Sequence, residues 1–142
     1  MTYLPDVNVW IALAAEQHVH PLIAKSWFAT LRTENLAFCR ITQLGFLRPL
    51  TNRHVMGDEV QSVDGAWGIY WKLRKDSRVH FVREAPVMGE GWNGLRKHRA
   101  AGPNSWTDAY LLAFAQTHGF NIVTFDRAFP KAKPVQTIVL TA

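Results

Sequence analysis

Along the chain, short unbroken apolar runs alternate with longer stretches whose apolar residues recur at helical spacing. The short runs are Tyr3 to Pro5, Leu36 to Cys39, Arg78 to Arg83 (through Val79, Phe81 and Val82), Phe120 to Phe125, and Thr137 to Leu140. Each is too short for a helix, and most are apolar at consecutive positions, as strands covered on both faces are. Between them, Val9 and Leu13, with Trp10, Ile11 and Ala14, outline a first helix. Leu22, Ile23, Trp27, Phe28 and Leu31 outline a second, to about Thr33. Further helices are expected over Arg40 to Arg48, Val60 to about Lys75, Trp92 to Arg99, and from Ser105 through Ala115. This alternation predicts an α/β fold, a mostly parallel central sheet covered by helices on both faces. Neither a repeat nor a linker interrupts it, so residues 1–142 are expected to form a single domain.

Punctuation residues sharpen the boundaries. Pro21 suits a helix start, and Pro49 stops the third helix at that point or soon after. Met56 to Glu59 leads into the next helix, which Gly65 and Gly68 weaken by about 1 kcal/mol each. Ser105-Trp106-Thr107-Asp108 has the form of a capping box, and Gly119 stands where a helix ends. Trp67 and Trp71, one turn apart beside Tyr70 and Leu73, read as a packed face. A protein interface fits the same face, and stacking on a base or a partner groove is the alternative for one or two of the six tryptophans.

Composition narrows the function classes. At 48% hydrophobic and 19% charged residues the 142-residue chain is globular rather than disordered. No apolar run approaches the roughly 20 residues that span a bilayer, and no basic segment precedes an apolar block as in a secretory leader. A cytoplasmic protein with no membrane association is expected. Cys39, the sole cysteine, excludes an internal disulfide and a cysteine metal cluster, and its apolar neighbours make it a core residue. His18 and His20, with no third ligand nearby, read as loop polar residues. The net charge of +5 and a pI of about 9.7 suggest a polyanionic partner, nucleic acid first. Arg40, Arg48, Arg53, Arg96, Lys97 and Arg99 are the candidates for backbone contacts, which carry no sequence information; the run from Arg96 to Arg99 also fits a solvated face.

Three acids stand at informative places. Asp6 and Asp126 each follow a buried strand, and Asp108 lies in the first turn of the helix leading to the Asp126 strand. In a parallel sheet all three positions fall on the carboxyl edge, where such folds hold their ligands. Taken singly they also read as helix caps and a turn residue. Two such charges about 4 Å apart at an effective dielectric near 20 cost about 4 kcal/mol, so a converging set holds either a proton or a cation. With oxygen donors alone the expected ion is Mg²⁺ or Mn²⁺. A hard cation on an acidic rim of a basic domain suggests phosphodiester hydrolysis.

The blocks Asp6-Val7-Asn8-Val9-Trp10-Ile11-Ala12-Leu13, Thr107-Asp108-Ala109-Tyr110-Leu111 and Thr124-Phe125-Asp126-Arg127-Ala128-Phe129 resemble the signature blocks of PIN-domain ribonucleases, more closely the VapC-type toxins. Their order and the 18 residues between Asp108 and Asp126 fit that resemblance. It implies a PIN-like fold and a metal-dependent endoribonuclease acting on RNA, with a cognate antitoxin and a homodimer. It also implies that Asp6, Asp108 and Asp126 hold the ion, that Thr124 positions the attacking water, and that Asn8 orients Asp6. The family has a fourth acid on the helix after the second strand. The matching position here is Gln43, with Thr42 beside it as a supporting residue, so Gln43→Glu is expected to tighten metal binding. The same departure leaves room for a non-cleaving PIN-like module that binds RNA or protein.

Overall fold

The computed structural model describes residues 1–14, 21–89 and 105–141. The strands are β1 (Thr2–Pro5), β2 (Asn35–Phe38), β3 (Val79–Phe81), β4 (Asn121–Thr124) and β5 (Thr137–Val139). They form one parallel sheet in the order β3-β2-β1-β4-β5. The helices are α1 (Val7–Ala14), α2 (Pro21–Thr30), α3 (Arg40–Leu50), α4 (Arg53–Met56), α5 (Val63–Arg74) and α6 (Ser105–His118). The expected α/β architecture is therefore the observed one. The predicted helix over Trp92 to Arg99, with Arg96, Lys97 and Arg99, lies outside the described residues, as do His18, His20 and the break at Gly102 to Asn104.

Alternate strand residues feed two separate cores. Tyr3, Leu36, Phe38, Val79 and Val123 enter the core under α1, α3 and α5, where Trp10 stacks on Phe38 with ring centroids 3.7 Å apart. Leu4, Ala37 and Ile122 enter the other, filled by Leu111, Leu112, Phe114 and Ala115 of α6. That two-sided burial is why the strands lack a polar alternation. Cys39 is wholly buried in the second core, and burial pushes its thiol pKa up, as suits a packing residue.

Several boundaries differ from the sequence reading. α2 ends at Thr30 rather than Thr33, because the Glu34 carboxylate accepts the Arg32 and Thr33 N–H groups at 2.7 and 3.1 Å and turns the chain. α5 begins at Val63, since the Ser62 hydroxyl accepts the Gly65 N–H at 3.0 Å as its N-cap. The stretch before it is a single turn, α4, and a 3₁₀ turn over Gly57–Glu59, with Gly57 at φ 58°, a conformation that favours glycine. Gly119, at φ 72°, ends α6 as expected. On α5 it is Ala66 and Tyr70 that are buried, while Trp67 and Trp71 are 37% and 52% exposed. The two pairs lie about 100° apart around the helix, so the tryptophans stand outside the core rather than forming its packed face.

Candidate active site

The strand order places the switch point of the sheet between β1 and β4, whose outward connections run in opposite directions. Asp6 and Asp126 follow those two strands. The Asp6 N–H donates to the Val123 carbonyl at 2.9 Å, locking the start of α1 to β4. Asp6 Oδ1 accepts the Val9 N–H at 3.2 Å, so Asp6 is indeed the cap of α1. Its other oxygen, Oδ2, accepts the Thr124 hydroxyl proton. That hydroxyl accepts the Asp126 N–H at 3.0 Å in turn, and Asp126 Oδ1 accepts the Ala128 N–H at 2.8 Å. Capping and site geometry therefore coexist in one carboxylate. Thr124 is fully buried and its proton is committed to Asp6. Here it fixes the two acidic segments relative to each other; the expectation that it positions a water finds no exposed hydroxyl.

The side chain of Asp108, in the first turn of α6, makes no hydrogen bond or ion pair among the described residues. Asp6, Asp108 and Asp126 line one cleft of about 410 Å³, together with Asn8 and Thr107. Burial raises the Asp6 pKa to about 6; the Thr124 and Val9 hydrogen bonds oppose that rise and the Asp126 charge adds to it. Burial also raises Asp108 to about 6, reinforced by the charges of Asp6 and Asp126. The three groups thus act on one another electrostatically. Among the described residues no three His, Cys, Asp or Glu side chains close to metal-holding distance, so the acids share the cleft without forming a finished cage. The donor set is the hard oxygen one that Mg²⁺ and Mn²⁺ take.

The supporting residues divide. The Asn8 side chain is exposed on the cleft, and Asn8 reaches Asp6 through its backbone N–H, not its amide. Thr42 closes the N-terminus of α3 instead, its hydroxyl accepting from the Cys39 N–H at 3.0 Å and donating to the Cys39 carbonyl at 3.1 Å. Gln43 is buried and accepts from Arg40 at 2.5 Å; it is not part of the cleft lining. Arg40 itself lies over the Phe81 ring at 4.6 Å. α3 instead turns Ile41, Leu44, Gly45 and Arg48 to the cleft, the i, i+3, i+4, i+7 face of a helix. Gly45 allows α3 to lie against α1, since a Cβ there would stand 2.5 Å from Val7 Cγ2. That spacing marks 41, 44, 45 and 48 as one face of α3, which Gln43 does not share, but packing decides that this face meets the cleft. Gln43→Glu is accordingly expected to leave Mn²⁺ affinity unchanged by calorimetry; a clear gain would return the side chain to the site. Arg96 and Arg99 lie outside the described residues.

Known proteins match this arrangement along most of the chain. The PIN domain pattern matches residues 3–134. Ribonuclease VapC41 of Mycobacterium tuberculosis is 38% identical over 131 residues, which cover 89% of this chain and 90% of the relative. Ribonuclease VapC38 of the same species is 32% identical, covering 87% and 84%. Among solved structures, VapBC2 from Rickettsia felis, bound to a DNA fragment from its promoter, superposes with a TM-score of 0.74 at 14% identity, covering 99% of this chain and 100% of that one. The Mycobacterium tuberculosis toxin VapC20, described as cleaving the sarcin–ricin loop, gives 0.63 at 16% identity, covering 84% and 86%. With a family pattern over most of its length and curated relatives above 30% identity, the chain belongs to the PIN-domain family and, within it, to the VapC group.

Proposed function

We propose that the protein is a Mg²⁺- or Mn²⁺-dependent endoribonuclease, the toxin of a toxin–antitoxin pair. The observation that carries this reading is the union of Asp6, Asp108 and Asp126 on one cleft, with Thr124 bonded to Asp6 and to the Asp126 backbone. Asp6, Asp108 and Asp126 would hold the ion, which would supply an acidified water and a positive charge for a phosphate oxygen. Thr124 keeps the Asp6 carboxylate oriented as the substrate enters, and Asp108 brings a carboxylate that no donor among the described residues engages. The net charge of +5 favours approach of a polyanion such as RNA. The relatives' names as ribonucleases support the activity, and the VapBC complexes among the structural neighbours support an antitoxin partner. A homodimer working in the cytoplasm completes the proposal; no helix among the described residues is long and apolar enough to cross a membrane.

The cleft wall from α3 brings no acid, and this favours a second reading, a PIN-like module that binds RNA or protein without cutting it. One experiment separates them: purified protein on total RNA with Mg²⁺, with Mn²⁺ and with a chelator, beside Asp6→Ala and Asp108→Ala. Discrete, metal-requiring cuts that vanish in both variants are expected. A folded wild type that binds the metal and cuts nothing would favour the binding module.

A further inference from the structure

We propose that Arg48 is the side chain that holds the substrate's backbone phosphate, and that this fixed cation on the α3 wall lets the cleft work with a single divalent ion. The inference rests on the endoribonuclease reading and names the part of that site which faces the substrate.

Of the six candidate cations in the sequence, Arg96, Lys97 and Arg99 lie outside the described residues, and the structure separates the other three. Arg40 is drawn away, bonded to Gln43 and laid over Phe81. Arg53 is exposed on the one-turn helix α4, outside the cleft lining. Arg48 lines the cleft itself and is the one cationic side chain among the described residues of its lining. It shares that cleft with three carboxylates, yet it forms no ion pair or hydrogen bond among the described residues through its side chain. With no partner among the described residues, the guanidinium shares the void of the cleft with the three acids, and that void is where a ligand's anion would sit.

The neighbours suit this role. Leu44 and Pro49 flank Arg48 and give the wall an apolar surface, with Leu44 49% exposed. A charge beside apolar surface interacts more strongly with phosphate than one in bulk water. The planar guanidinium also grips two phosphate oxygens at once, which an ammonium does not. The backbone under it is held, since the Arg48 carbonyl accepts the Thr51 N–H at 3.3 Å. On this wall α3 presents Ile41, Leu44, Gly45 and Arg48, so its charge to the cleft is positive where an acid would recruit a further ion.

The test uses the full-length protein and a single-stranded RNA oligonucleotide, with binding measured in chelator so that neither cleavage nor metal enters the readout. Arg48→Gln is expected to weaken binding at least tenfold and to lower the salt dependence by about 0.7 in log–log slope, the share of one phosphate contact. Arg48→Lys should fall between the two, and Arg53→Gln should stay within about twofold of the wild type. Separately, Mn²⁺ calorimetry should give one ion per chain in the wild type and in Arg48→Gln. Equal RNA binding by wild type and Arg48→Gln, equal losses in Arg48→Gln and Arg53→Gln, or two ions per chain would overturn the assignment while leaving the nuclease reading intact. A wild type that neither binds nor cuts RNA would remove both.

Discussion

Asp108→Asn is expected to lower metal-dependent cleavage by at least about 10²-fold while making the folded protein more stable at pH 8. The two effects have one origin. Burial and the charges of Asp6 and Asp126 raise the Asp108 pKa from 3.8 to about 6, so the folded chain holds a proton there that the unfolded chain has released. Between about pH 4 and pH 6 the native state binds more protons than the unfolded state, and stability falls as pH rises through that window. Above it the ionised carboxylate is a standing cost. Two pKa units correspond to about 2–3 kcal/mol, which partial exposure reduces to about 1–2 kcal/mol. Asparagine keeps the shape and an oxygen donor but removes the charge. Urea unfolding at pH 8 and pH 4 measures this directly, with a gain at pH 8 that shrinks toward zero at pH 4. A variant less stable than wild type at pH 8 would mean that Asp108 is not in tension with its neighbours.

Thr124→Val has the opposite signature, losing both stability and function. Valine matches threonine in shape but has no hydroxyl, so Asp6 Oδ2 loses its donor and the Asp126 N–H its acceptor. Thr124 is fully buried, and water cannot replace either partner without rearrangement. The expected cost is about 2–4 kcal/mol, seen as a lower melting temperature. The Thr124 hydrogen bond also restrains the Asp6 pKa, so without it the carboxylate titrates above 6. Mn²⁺ must compete with that proton, and the pH of half-maximal binding should move upward. Thr124→Ser, which keeps the hydroxyl, should lose about 1 kcal/mol for its missing methyl and bind metal near the wild-type pH. Parallel losses in both variants would reduce Thr124 to a packing residue.

What the sequence disclosed depended on whether a residue's role was local. The turn from β1 into α1 follows from an apolar run that meets Asp6 and continues at helical spacing, and the stop at Gly119 follows from one residue's backbone freedom. Asp6, Asp108 and Asp126 could be put on one edge because a parallel sheet puts every strand end there. Gln43 failed for want of a rotation. It sits on the expected helix, but its neighbours at 41, 44, 45 and 48 occupy the cleft face, and only tertiary packing fixes which face that is. Trp67 and Trp71 failed likewise, since Ala66 and Tyr70 offered a second face at the same spacing and the core took that one. The capture of Arg40, and the lack of any partner for Arg48 among the described residues, depend on what each meets in three dimensions, and spacing carries no trace of either.

The bond between Thr124 and Asp6 joins residues 118 positions apart, across the central strand pair of the sheet. During synthesis Asp6 emerges before its partners, and β1 can meet β2 before β4 is made. Its other neighbour, β4, leaves the ribosome only after the helix that carries Asp108. A nascent or prematurely ended chain therefore has one wall of the cleft, no Thr124 to hold Asp6, and no Asp126. Strand order alone delays assembly of the acidic centre until β4 has been made. Chains that stop before β4 would carry no assembled acidic centre, and the finished cleft would first exist once β4 has docked against β1.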